Sequence, residues 1–200
     1  MITGAPSLAR FVLRTLAWLP PCFAAWYLGA QIHTGIAAAL ARLVVAFFNA
    51  AIIKATEYPG LELRFVTTIE VPSAAGRGVL AIEVNPLLYT YGLALFLALM
   101  LAARARWRHV LLGAAILLPF QGWGIGFDLL AHLGVKLGPE VSAQAGLLGS
   151  REFIALAYQV GNLIFPSVVP VILWAFFNRE FIERLRPATQ GDAHSLTKAI

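Results

Sequence analysis

Residues 110–133 read VLLGAAILLPFQGWGIGFDLLAHL, an apolar run broken only by Asp128 and His132. As an α-helix these 24 residues would extend roughly 36 Å at 1.5 Å per residue. That exceeds the ~30 Å hydrocarbon core of a bilayer. Residues 15–32, 86–103 and 153–177 carry no charged side chain at all, so the same argument applies to each. The expected fold is therefore an all-α membrane helical bundle of four spans, with five as the alternative, and lipid is its solvent.

Composition agrees. Apolar residues make up 60% of the 200-residue chain and charged residues 12%, and the mean hydropathy is +0.77. That leaves too little polar surface to cover a water-soluble globule. The net charge of +5 does not point to nucleic acid, because the basic residues sit at the ends of apolar segments rather than along one polar face. Cys22 is the only cysteine, which excludes an internal disulfide framework and a Cys-rich metal site. No His/Cys metal spacing, P-loop or serine nucleophile elbow occurs, so neither a metal nor a cofactor is expected.

Charge also orients the chain. Arg10 and Arg14 precede the first apolar segment as in a signal peptide, but no cleavage site leads into a polar mature sequence, so the segment is read as an uncleaved anchor. Pro20 and Pro21 remove two consecutive backbone donors and predict a kink or division near Cys22. Residues 36–53, IAAALARLVVAFFNAAII, are long enough to span but place Arg42 near the centre, with Asn49 on the same face. Arg104, Arg106 and Arg108 crowd one connection, and Arg179, Arg184, Arg186 and Lys198 follow the last span. By the positive-inside rule both groups face the cytoplasm. Both termini then lie in the cytoplasm and residues 54–85 outside, and segment 36–53 becomes interfacial or re-entrant on the outer side.

The outer segment has strand periodicity. Leu61, Leu63, Phe65, Thr67, Ile69 and Val71 alternate with Glu62, Arg64, Thr68 and Glu70. After PSAAGRG, Leu80, Ile82 and Val84 alternate with Ala81 and Glu83, which predicts a two-stranded hairpin insert over residues 60–85 resting on helix 36–53 or on the outer membrane surface. A short helix is expected around Pro139 to Leu147. Residues 1–187 form a single polytopic membrane domain, and residues 188–200 a disordered cytoplasmic tail.

Several residues could carry chemistry. Asp128 is the most costly residue within the spans, and with Gln121 and His132 it forms a polar stripe at spacings of 7 and 4. Asp128 and His132 could handle a proton near the outer surface, or could be structural. Gly122 and Gly126 have the spacing that lets a second helix approach closely. Tyr158, Gln159 and Asn162 precede Pro166, and the Asn162 amide could bond a carbonyl that the proline leaves free. Cys22 is a candidate nucleophile that would need a histidine nearby in space. Glu70 and Glu83, with Glu57 and Glu62, give the outer segment a negative character.

The segments EVNPLLYTYGLALFLALMLA (83–102), LLPFQGWGIGFDLL (117–130) and YQVGNLIFPSVVPVILW (158–174), with WLPPCFAAWY (18–27), resemble the exosortase H-associated membrane proteins. The similarity runs from about Phe11 to Phe181. The resemblance implies a small protein of the bacterial inner membrane, encoded beside an exosortase. That enzyme is transpeptidase-like and processes secreted proteins carrying a PEP-CTERM-like C-terminal sorting tail, in which a short motif precedes one membrane helix and a basic end. The family has no assigned catalytic residues, and the Cys, Arg and His motifs of the enzyme itself are not found in this chain. The expected function is a non-enzymatic accessory protein that binds the exosortase or the sorting tail. It would use the hairpin for strand addition and small-residue faces such as Gly122–Gly126 for a helix. Two alternatives stay open. One is an outer-leaflet enzyme built on Asp128 and His132, with Glu70 or Glu83. The other is a small transporter component lined by Gln121, Asp128, Gln159 and Asn162.

Overall fold

A computed structural model describes residues 8–73 and 76–185, and the expected tail at 188–200 lies outside them. The chain opens with α1 (Leu8–Leu28) and α2 (Ala30–Phe48), parted by Gly29 alone. Of the kink or division expected near Cys22, the division does not occur: α1 is one helix through Pro20 and Pro21. Lipid offers the backbone no other partner, so losing two bonds inside a helix costs less than exposing a whole broken turn. Gly29 separates the two helices, yet its N–H still donates to Ala25 O at 3.0 Å and its carbonyl accepts from His33 N at 3.3 Å.

Segment 36–53 is divided rather than continuous. The helix stops at Asn49, which takes an extended conformation, and the Asn49 side chain donates to Ala145 O at 2.8 Å and accepts from Ala51 N at 3.0 Å. The chain then enters β1 (Ile53–Glu57), followed by β2 (Leu63–Ser73) and β3 (Gly76–Val84). The expected hairpin is thus a three-stranded antiparallel sheet in the order β1-β2-β3. The added strand is hidden in the sequence by its position at the end of a helical apolar run.

Among the described residues, three helices are long and apolar enough to cross a bilayer: Ala30–Phe48, Trp107–Lys136 and Arg151–Phe177. The first is the stretch that the positive-inside rule assigns to the interface. Residues 15–32 fare the other way. They are divided between α1 and the first residues of α2 and are not among these three. Residues 86–103 form a shorter apolar unit, α3 (Leu87–Thr90) and α4 (Gly92–Ala102).

The second span begins as α5 (Trp107–Ala131) and ends in a π-helical turn, His132–Lys136. The predicted short helix is α6 (Pro139–Ala145). The last span is α7 (Arg151–Gln159), a second π-helical turn at Val160–Ile164, and α8 (Phe165–Phe177); α9 (Arg179–Leu185) follows. Ser150 caps α7 by accepting Phe153 N at 3.1 Å.

The inner face of the sheet (Leu63, Phe65, Ile69, Ile82 and Val84) shares one core with Ala37, Ala38, Ala41 and Val45 of α2 and with Ile125, Leu129, Leu130 and Leu133 of the second span. The sheet meets the helices chiefly through β3 against α5 and β2 against α6, rather than lying along α2, and each large side chain buried there contributes about 2–3 kcal/mol. A bulge interrupts the ladder between Val66 and Glu70, where Thr67 Oγ1 donates to Leu80 O at 2.8 Å and accepts from Ile69 N at 3.2 Å. At the other end of the molecule two smaller clusters hold α1, α4, the start of α5 and α8 together. One is built on Phe96, Met100, Val110 and Leu117, the other on Phe11, Leu99 and Ala102.

Candidate functional site

The second span carries a compact polar cluster at its sheet-capped end. Lys136 Nζ donates to Asp128 Oδ1 at 3.0 Å, and His132 Nδ1 lies 3.3 Å from the same oxygen and 2.8 Å from Asp128 O. The Lys136 ammonium also sits 4.2 Å above the Tyr158 ring. The buried Tyr89 hydroxyl faces both Asp128 and Tyr158. Asp128 is thus held by an ammonium and an imidazole, with its side chain only 10% exposed. Its partners come mainly from its own helix, because residues 128, 132 and 136 follow one another by single turns. The i, i+8 spacing is the sequence signal for Lys136. Tyr89 cannot be assigned from sequence because it arrives from α3.

The remaining stripe does not converge on this cluster. Gln121 is buried nearly two turns deeper and faces His33 of α2, and its Oε1 has no hydrogen-bond partner. Gln159 is exposed and Asn162 half-buried. Ahead of Pro166 it is the Ser167 hydroxyl, not the Asn162 amide, that donates to the local carbonyls, Leu163 O at 2.9 Å and Ile164 O at 3.4 Å. Cys22 is a free, buried thiol on α1, which packs chiefly against α4 and not on the end that carries Asp128 and His132.

The small-residue face at Gly122 and Gly126 is filled by the protein's own α2. A Cβ at Gly122 would lie 2.6 Å from Leu40 Cβ, and one at Gly126 3.0 Å from Val44 Cβ. An incoming helix has no room there.

The acidic residues of the sheet are matched rather than bare. Register places Glu57, Arg64 and Glu83 side by side across the three strands. Arg64 Nη2 donates to Glu83 at 2.7 Å, and Arg64 Nη1 lies 3.5 Å from Glu57. The hydrogen bond and charge of Glu83 raise the Arg64 pKa further. Glu70 pairs with Arg77 at 3.4 Å toward the opposite end of the β2–β3 hairpin.

One surface has no counterpart in the sequence reading. Between α2, α5 and α7 an apolar groove of about 400 Å³ is lined by Leu43, Val44, Phe47, Phe48, Trp123, Phe127 and Phe153. Its rings interlock, with Trp123 and Phe127 centroids 4.6 Å apart and Phe127 and Phe153 6.0 Å apart. Phe47 remains 77% exposed, and Arg42 is exposed on the same helix without an ion-pair partner among the described residues.

The sequence profile of the exosortase H-associated membrane proteins matches residues 5–181. The chain belongs to that family. The match contains all four segments that carry the resemblance. No curated protein and no solved structure shows significant similarity to the chain. The family name denotes a membrane protein associated with an exosortase, in keeping with the three span-length apolar helices.

Proposed function

We propose that this family member is a non-catalytic companion of an exosortase, binding the enzyme or the C-terminal sorting tail of its secreted substrates. The observation that carries the reading is the aromatic groove between α2, α5 and α7, open on its outer side and flanked by the unpaired Arg42. An arginine on an otherwise apolar, span-length helix is costly in lipid. A partner helix bearing a carboxylate would relieve that cost while its side chains fill the groove. The unpaired edge of β3 offers a second contact, by strand addition, to an extended sorting motif. In this reading the protein is one polytopic domain over residues 1–187 in the bacterial inner membrane. Its arginine-rich end and both termini are cytoplasmic and the sheet lies outside.

The engagement of Asp128 by Lys136 and His132 supports a structural role for that carboxylate. The same cluster is also what favours a second reading, an outer-leaflet enzyme using Asp128 and His132. The test is co-purification with the exosortase in mild detergent together with sorting in cells. Phe47→Ala combined with Arg42→Gln should weaken both, whereas Cys22→Ser and Asp128→Asn should leave sorting per folded molecule unchanged. Loss of sorting in Cys22→Ser or Asp128→Asn at unaltered abundance would reject the companion role in favour of chemistry.

A further inference from the structure

The end of the molecule opposite the sheet holds a cavity of about 470 Å³ between the α4–α5 connection and the α8–α9 junction. Arg104, Arg106, Arg179 and His109 line it, against the single carboxylate of Glu180. We infer that this cavity binds the phosphate of an anionic phospholipid headgroup.

The walls are built rather than incidental. Arg104 closes α4 in a left-handed conformation, with φ of 53°, and is the only non-glycine with positive φ among the described residues. The backbone around it makes a helix-ending motif, Ala105 N donating to Met100 O and Arg104 N to Leu101 O, both at 3.0 Å. That position ordinarily takes glycine. An arginine there is strained, and strain held at one charged residue points to a use for the side chain. Among the described residues neither Arg104 nor Arg106 has an ion-pair partner. His109 stacks on Phe177 at 5.2 Å, Arg179 lies 4.6 Å over Phe176, and Asn178 ties the junction to α4 and α8 through Met100 Sδ and Trp174 O.

Depth selects the ligand. The cavity lies where one span-length helix begins, at the 69%-exposed Trp107, and another ends, at Phe177. Aromatic residues and arginines at such ends mark the headgroup layer, where lipid phosphates reside. Arg106 directly precedes α5, whose first N–H groups have no helical acceptor and add partial positive charge toward the same space. Three arginines against one carboxylate, in a cavity large enough for a phosphate with its glycerol, suit a monoanionic headgroup better than a zwitterionic one.

The test uses the full chain in mild detergent, with lipid retention read by native mass spectrometry. Phosphatidylglycerol should be retained in preference to phosphatidylcholine, and Arg106→Gln should lower retention about fivefold. Arg104→Gly should do the same. Because that variant removes the charge while relieving the backbone, its loss cannot be assigned to misfolding. Arg108→Gln, next to the cavity but not lining it, should retain lipid as the parent does. Equal loss in Arg108→Gln, or equal retention of both lipids, would overturn the proposal. Stabilisation by excess inorganic phosphate that matches the lipid effect would replace the headgroup with a free anion.

Discussion

The two halves of α5 are made of similar residues but live in different surroundings. From Trp107 to Phe120 only Val110, Gly113 and Leu117 are buried, while from Gln121 to Ala131 every residue except Trp123 is. The first half leaves most of its surface to lipid, and the second is enclosed by α2, the sheet and α7. Lipid tails are as apolar as leucine, so the open half is held by packing alone. On the enclosed side the inner face of the sheet adds Leu63, Phe65, Ile69, Ile82 and Val84 to the contacts that hold the helix.

Breaking this contrast at its strongest point means removing the ring that joins sheet to helices. Phe65→Ala should cost about 3–5 kcal/mol in reversible unfolding. Phe96→Ala, equally buried on α4 where it packs against the open half of α5, should cost clearly less by the same measurement. Equal losses would mean that the sheet adds no stabilisation of its own.

Next in size is the α2–α5 contact. Gly122→Ala drives a methyl to 2.6 Å from Leu40 Cβ and 3.2 Å from the Ala41 backbone, neither of which can swing aside. A loss of about 2–3 kcal/mol is expected. Gly113→Ala drives a methyl into Cζ of Phe96, a rigid ring that is itself fully buried, and should cost a similar amount. Thermal unfolding of the two variants, side by side in one detergent, checks both losses.

Lys136→Met sharpens the comparison at the polar cluster. It leaves the Asp128 carboxylate short of its ammonium, and because Lys136 is 37% exposed the loss should be about 1–2 kcal/mol. Asp128→Asn in the same background should recover part of it, since the amide carries no charge to be compensated. The smallest effect belongs to the water-facing ladder. Arg64→Gln should leave the unfolding midpoint unchanged within error, because that ion pair is solvent-screened.

Much of this arrangement is legible in the order of residues alone. Period two in LELRFVTTIEV assigns Leu63, Phe65, Thr67 and Ile69 to the buried face, and they are buried. Alternation is a local property, so it survives without knowledge of partners. The boundary between α2 and β1 is not legible, because IAAALARLVVAFFNAAII is apolar almost throughout and an apolar run does not reveal where helix gives way to strand. For the site, Asp128 and His132 stand out by cost and spacing, and Lys136 is within reach of the same argument. Tyr89 and the aromatic groove require distant elements to meet, and no spacing rule encodes that.

By itself the sequence determined the solvent, the placement of charge at the ends of the helices and the inward face of the strands, since each follows from composition and short-range periodicity. Only the tertiary structure decided that α2 fills the glycine face of α5, that Tyr89 of α3 comes to face Asp128, and that two arginines are left without carboxylates around a cavity. These depend on which surfaces meet, and helices of nearly uniform apolarity do not write that choice into their sequence.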